Sequence, residues 1–425
     1  MNKPEILKII LIMILWSLFV ISILQLLWSF HEFNNTDTSE FKENFEHIKY
    51  ENNDHYFINT GFKDEYTSII EIERSCDVER HEITDNSSKT VYVYSGSSMV
   101  TPFCEDSDIP KEMEKLLRER QKNYEIYNLA MSGARSSSIL RSVNKSINLK
   151  EPDAVMIYSG HNDHIEAHNV LREEMNFVEN NLLWKVYRNT FARSLDNYEI
   201  KGVSRDLLTP KLARLGLYTG LIDSEKTMEM IEITNRKARE NYKRNIEKLV
   251  ELTEERDIDL FLSTVSSNLK IEPQTESFYF ENRSVKKNYE SYMEIGIEFL
   301  NRENYHAALE NFRKAYDINN KSSKAPYYLG KTHENLDNNE KAINYLVDAK
   351  NRDNFSYDVR AKSDINEYLR EINESHVTTI DLKKILKETE ELLNDDLFAD
   401  WLHYETHSNN LIAEHLVEGL ETYKK

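Results

Sequence analysis

Across 425 residues, 74 Asp and Glu outnumber 54 Lys and Arg, a formal charge of −20, which argues against a nucleic-acid partner and for a well-solvated acidic surface. With 24 Tyr, 17 Phe and 4 Trp the chain has material for an ordered core, which argues against global disorder. The length suits one large domain carrying an insertion, or two or three domains.

Residues 9–30 carry no charge and are long enough to span a hydrocarbon core of about 30 Å. Lys3 and Lys8 precede the run, and Trp28 and Phe30 mark its far interface. Positive-inside logic predicts a single-pass anchor in the cell membrane, with the N-terminus cytoplasmic and everything after residue 30 outside. The rival is a cleaved signal peptide, against which stand the length of the run and the lack of a small-x-small site after Trp28. Asn-x-Ser/Thr triplets begin at Asn34, Asn86, Asn144, Asn282, Asn320, Asn354 and Asn373, compatible with a glycosylated exterior. The two cysteines, Cys76 and Cys104, form no metal-type spacing and are either free thiols or, outside the cytoplasm, a pair.

Residues 31–88 are polar without a period and read as a juxtamembrane lead-in. The run Thr90 to Tyr94 is β-branched or aromatic, which suits a buried strand, and Ser95-Gly96-Ser97-Ser98 ends it. Residues 110–122 open on proline and place Met113, Leu116 and Leu117 at helical spacing. Tyr124 to Ala130 is a second strand, ended by the turn at Gly133. A helix over 135–148 aligns Ile139, Leu140, Val143 and Ile147. Asp153 to Tyr158 is a third strand, ended by Ser159-Gly160-His161-Asn162-Asp163. Strand–helix–strand–helix–strand with short turns predicts right-handed crossovers and a doubly wound parallel sheet. Its three glycine-bearing turns, at Gly96, Gly133 and Gly160, then lie along one carboxyl edge, where such sheets bind ligands.

Residues 164–256 are mostly helical and predict a cap, with the strongest helix at 239–256. Ile258 to Val265 is the fourth strand. Over 289–356 the chain repeats: Gly296 and Gly330, Ala308 and Ala342, and Ala315 and Ala349 are each 34 apart. That period and its small/large order resemble tetratricopeptide helix pairs, either structural capping or a surface for a protein partner or substrate. Residues 376–382 are a fifth strand, a helix follows at 383–394, and a last helix runs from Ser408. Between them, Asp400 stands three residues before His403, a spacing that can place a carboxylate behind an imidazole.

A serine hydroxyl needs a base. His403 is the candidate, Asp400 its orienting partner and Ser98 the nucleophile, the roles of a Ser-His-Asp triad. The backbone N–H groups of Ser98 and Gly133 and the Asn162 amide are the candidate oxyanion donors. His407 is a rival base, but no aspartate stands three residues before it. His161, His164 and His168 with Asp163 and Glu166 admit a metal-site reading, against which a wet polar cleft edge is favoured.

Gly96-Ser97-Ser98-Met99, Asn128 to Gly133, Gly160-His161-Asn162-Asp163 and Asp400-x-x-His403 resemble, in order and spacing, blocks I, II, III and V of the SGNH (GDSL-like) hydrolase superfamily. The resemblance covers residues 90–165 and 376–423. It implies an α/β, flavodoxin-like sheet, Ser98 as nucleophile and first oxyanion donor, Gly133 and Asn162 as further donors, and His403 and Asp400 as base and orienter. Together with Thr264 to Leu269 and the helical repeats, the arrangement is similar to a repeat-bearing subgroup of that superfamily. Ser97 replaces the usual block I aspartate, which is not a triad member, and Ser408 stands where many members have glycine. The expected organisation is an anchor over 1–30, a lead-in over 31–88, the hydrolase-like domain over 89–270 and 371–425 with its cap at about 164–256, and the repeat insertion over 286–356. The expected activity is a serine esterase, needing no cofactor or metal, that removes an O-acyl group such as acetyl from a glycan or lipid-linked sugar. The alternatives are an O-acyltransferase with the same triad and an inactive repeat-bearing scaffold.

Overall fold

A computed structural model describes residues 89–99, 108–130, 133–148, 150–164, 224–273, 280, 283–353 and 360–422, with a broken set of helical positions between 13 and 31. The chain divides into two compact units, residues 1–50 with 166–234, and residues 51–165 with 235–425.

In the first unit, the described positions between 13 and 31 are helical, and Trp16, Leu24 and Trp28 are exposed there. Among the described residues no helix is long and apolar enough to cross a membrane; the apolar run at 9–30 lies partly outside them. Cys76, Cys104 and most of the expected lead-in and cap also lie outside the described residues.

The second unit is built on five parallel strands: β1 (Lys89–Ser95), β2 (Tyr124–Asn128), β3 (Ala154–Tyr158), β4 (Asp259–Ser263) and β5 (Val377–Ile380). Their order is β2-β1-β3-β4-β5, the flavodoxin-like order, in which the chain changes direction across the sheet between β1 and β3. The central strands β1, β3 and β4 are buried along almost their whole length, as expected of strands covered on both faces. The two edge strands are short, and each buries one residue, Ile126 in β2 and Ile380 in β5.

Alternation along the strands divides the apolar side chains between two layers. Val91, Val93, Met156 and Phe261 face a layer formed by α1 (Ile109–Glu119) and the last helix, α10 (Asn409–Thr422), through Met113, Leu117, Ile412 and Leu416. Asp108 caps α1, its carboxylate accepting from Lys111 N–H at 2.7 Å, with proline in the first turn, the arrangement that orphan helix N–H groups favour. Tyr92, Tyr94, Val155, Ile157, Leu260 and Leu262 face the opposite layer. This consists of α2 (Ser136–Ile147), the long α3 (Ser224–Glu254) beyond residue 235, and α8 (Ser363–Glu371). The predicted strong helix at 239–256 is the second half of α3, which begins fifteen residues earlier, at Ser224.

The 34-residue period becomes two helical hairpins, α4 (Arg283–Asn301) with α5 (Tyr305–Ile318), and α6 (Lys324–Glu334) with α7 (Asn339–Arg352). Both turns contain a left-handed residue, Glu303 at φ 58° and Asp337 at φ 54°, and these are also 34 apart. Gly296 lies against Phe312, and Gly330 against Leu346, so closely that a Cβ would meet the partner side chain at 2.5 and 2.7 Å. The second hairpin joins the core of the sheet through Tyr327, Ile343, Leu346 and Ala349. The first packs against α6 in a separate core around Tyr289, Phe312, Ala315 and Leu329. After β5 come α9 (Leu382–Glu388) and a 3-10 turn at Glu391–Leu393. The helix predicted over 383–394 stops early, because Glu390 turns left-handed at φ 61°.

Candidate active site

The turns after β1, β2 and β3 sit at the carboxyl edge of the sheet, on either side of its change of direction. Ser98 lies in a 3-10 turn, Ser97–Met99, directly after β1. It is buried, and its Oγ is 3.4 Å from that of Ser95. The Asn162 amide donates to the Ala134 carbonyl at 2.9 Å and packs against Gly96. A Cβ on residue 96 would come within 2.6 Å of Asn162 Nδ2, so glycine at 96 keeps the amide beside the serine turn. An amide has a second N–H, which leaves a donor for an incoming oxygen. Gly133 adopts φ +72°, which a residue with a side chain reaches only with strain. It precedes the Ala134 carbonyl that holds Asn162.

Asp163 is committed elsewhere. Its carboxylate accepts from Ser136 N–H at 3.1 Å and from Ser136 Oγ at 2.5 Å, and the Asn245 amide donates to that same hydroxyl at 2.9 Å. The aspartate therefore caps α2 from outside the helix and ties the turn after β3 to α2 and α3. His161 is buried in the same turn, its Nδ1 accepting from Ala361 N–H at 3.2 Å, which assigns the ring proton to Nε2. Glu166 and His168 lie outside the described residues.

His403 and Asp400 arrive on a loop between β5 and α10. Asp400 Oδ2 accepts from His403 Nδ1 at 2.6 Å, while Oδ1 accepts from the N–H groups of Leu402 and His403, both at 2.9 Å. Burial pushes the Asp400 carboxyl up, but these hydrogen bonds outweigh it and hold the group at about 2. The carboxylate is thus ionised at neutral pH and fixes the imidazole with Nδ1 protonated, leaving Nε2 as the basic nitrogen. The loop is closed by Ala399 N–H donating to the His403 carbonyl at 2.9 Å and by stacking of Phe398 on Tyr404. The Tyr404 hydroxyl meets that of buried Tyr158 at 2.9 Å, and burial pushes Tyr158 up to about 12. From beyond β4, Asn268 donates its backbone N–H to the Trp401 carbonyl at 2.9 Å and its amide to the Asp400 carbonyl at 3.1 Å.

Ser98, Asn162, Ser159, His161 and Leu402 line one small cavity. Leu402 is the neighbour of His403, so the loop bearing His403 meets the serine turn there. Among the described residues no hydrogen bond joins Ser98 Oγ to His403; such bonds are commonly long without substrate and tighten when it binds. Gly133 is not part of the lining, though the Ala134 carbonyl beside it anchors Asn162. His407 is exposed in the 3-10 turn Thr406–Ser408, and Ser408 is buried with its hydroxyl on the Asp396 carbonyl at 3.2 Å. Sequence reasoning gave no role to Asn268 or to residues 360–361, which hold the site from behind. For Asn268 the signal was the run Thr264 to Leu269 after the fourth strand, which entered only as part of the resemblance; residues 360–361 gave none.

No protein-family model matches the chain, and no curated protein does. Among solved structures, it is similar to a GDSL-like lipase from Parabacteroides merdae at 10% identity, with 79% of this chain and 97% of that one covered and a TM-score of 0.35. It is also similar to a lipase/acylhydrolase from Enterococcus faecalis at 12% identity, 79% and 96% covered, TM-score 0.32. A third similarity is to an acetyl xylan esterase at 10% identity, 78% and 99% covered, TM-score 0.33. At TM-scores below 0.5 these overlaps carry no weight, and the fold rests on the strand order itself.

Proposed function

We propose that the chain is a serine ester hydrolase of the SGNH type. The observation that carries this reading is the Asp400–His403 pair, whose next-door Leu402 shares a cavity with Ser98 and Asn162 at the sheet's change of direction. In this reading His403 Nε2 removes the Ser98 proton as Oγ attacks an ester carbonyl, and Asp400 stabilises the imidazolium that forms. The carbonyl oxygen gains negative charge opposite the Asn162 amide and the N–H groups of Ser98 and Gly133. His403 then gives its proton to the leaving alcohol. Water, activated the same way, releases the acid from the acyl-serine.

The helical insertion is tetratricopeptide-like in this reading, supported by the repeat of its turns and of its glycine–large-residue contacts at 34 residues. Residues 9–30 anchor the chain to a membrane with the catalytic part outside, supported by their length without charge and by exposed Trp16 and Trp28 in a helical stretch. An exterior site fits an O-acyl ester on a glycan or lipid-linked sugar. The test is turnover of a short-chain aryl acetate by the full chain in detergent, beside Ser98→Ala. Turnover abolished by the substitution is expected. No turnover by either protein, with no labelling of Ser98 by an organophosphate, would sink the reading.

A further inference from the structure

Arg360 stands where the chain leaves the helical insertion for the sheet. It is 5% exposed and Asp353, at the end of α7, is 7% exposed, and the two are paired at 3.2 Å. Lys362 binds the same helix end, its Nζ donating to the carbonyls of Asn351 at 2.8 Å and Asp353 at 3.1 Å. The other limb of the Arg360 guanidinium donates to the Asn268 carbonyl at 3.1 Å. Asn268 in turn holds the Asp400 carbonyl through its amide and the Trp401 carbonyl through its N–H. The next residue, Ala361, donates its N–H to His161 in the cavity wall. Two consecutive residues therefore reach both walls of the site, and both are fixed to the last helix of the insertion.

We propose that Arg360 is a positioning residue for the Asp400–His403 pair, acting through Asn268, and that the end of α7 is thereby a working part of the catalytic cleft; the catalytic meaning of this link rests on the esterase reading. A guanidinium suits the task because its planar fork addresses a carboxylate and a carbonyl at fixed angles, which an ammonium cannot do. Buried Leu397, Phe398, Leu402 and Tyr404 pin the loop around residues 400–403, but the Asp400 and His403 side chains themselves are 44% and 37% exposed, so their aim depends on polar contacts. A misplacement of about 1 Å at a catalytic group can cost about a hundredfold in rate.

The test uses the full chain with Arg360→Lys and Asn268→Ala. The first keeps a cation beside Asp353; the second leaves the Arg360–Asp353 pair in place and removes the amide donor to the Asp400 carbonyl together with the Oδ1 acceptor for the Lys270 N–H. Both are expected to lower kcat by about tenfold to a hundredfold with KM little changed. Both are also expected to broaden or remove the far-downfield proton resonance of His403 Nδ1 that the 2.6 Å contact with Asp400 gives. If Arg360→Lys does not fold, Arg360→Gln, which keeps a donor in reach of the Asn268 carbonyl, takes its place, and Asn268→Ala tests the onward contact to Asp400. A lower melting temperature with kcat and resonance intact makes the link a brace of the fold and overturns the proposal. The resonance is read without substrate, so it tests the positioning even if the wild-type chain hydrolyses no ester. Only the absence of wild-type turnover would count against the esterase reading.

Discussion

The two loops that meet at the cavity are held in opposite ways. Ser98 follows a strand buried from Thr90 to Ser95, and the turn that carries it is shaped by Gly96 and closed by Met99, which is 2% exposed. The sheet fixes its position. Asp400 and His403 lie half-exposed on a loop whose flanks are buried through Phe398, Leu402 and Tyr404, but whose two polar side chains are aimed by a chain of polar contacts: Asp400 to two N–H groups, Asn268 to two carbonyls, and Arg360 behind Asn268. A buried side chain is held by many small contacts at once, whereas each link of a hydrogen-bond chain rests on one or two partners, and losing one leaves the other unsatisfied. The serine side should therefore be lost by substitution within its own turns, at Ser98, Gly96 or Asn162, and the histidine side also by substitutions well away from it.

The sharpest break of that contrast is Ser98→Ala. Turnover should fall by about 10⁶, the scale seen when such a nucleophile is removed, while thermal denaturation should leave the melting temperature near wild type, because the turn keeps its shape without the hydroxyl. Asp400→Asn should lower kcat by about 10⁴, the cost of holding the base in the wrong tautomer, and should remove the downfield His403 proton. If Asp400→Asn retained near-wild-type turnover, the loop would be structural and the base would have to be sought elsewhere. Asn162→Ala should cost about 10²–10³ in kcat. Because that amide also binds the Ala134 carbonyl, a small fall in melting temperature should accompany the loss, separating it from Ser98→Ala.

The serine side was also the side open to reading from sequence. Runs such as Val91 to Tyr94 and Ala154 to Tyr158 are local patterns, and glycine after each strand marks the turn, so the strands and their carboxyl ends follow from neighbouring residues. The Asp400–His403 spacing is local too, and the structure joins those two side chains. What was not legible is what places that loop against Ser98. Asn268 and Asp400 are 132 residues apart, Arg360 and Asn268 are 92 apart, and Ala361 and His161 are 200 apart. Such contacts leave no period and no spacing; they exist only once β3, β4 and β5 lie side by side. The early end of α9 has a different cause, since left-handed Glu390 carries none of the residue types that announce a helix stop.

Acid and alkaline titrations give the smallest effects and sharpen the same contrast. Asp400 sits at about 2 in the folded chain against an ordinary 3.8. Between those values the unfolded chain binds more protons, so Asp400 contributes stability above about pH 4 that is lost as pH falls through 2. The contribution is modest, because the pair is well exposed to solvent. On the alkaline side, Lys362 and Lys383 are each lowered by burial to about 8 from 10.5. Here again each lysine holds more proton in the unfolded chain between the two values, so these two contribute stability that rises as pH climbs from 8 towards 10, opposed near pH 10 by buried tyrosines such as Tyr158 and Tyr327, each raised to about 12. The melting temperature followed over pH 7–10 should rise less steeply in a Lys362→Met, Lys383→Met double variant than in wild type, and Asp400→Asn should follow wild type throughout that range. A double variant with an unchanged slope would show that these lysines are solvated. The end of α7 would then be less firmly sealed than Arg360 requires, and the first place to look would be the Lys362 contacts with the carbonyls of Asn351 and Asp353.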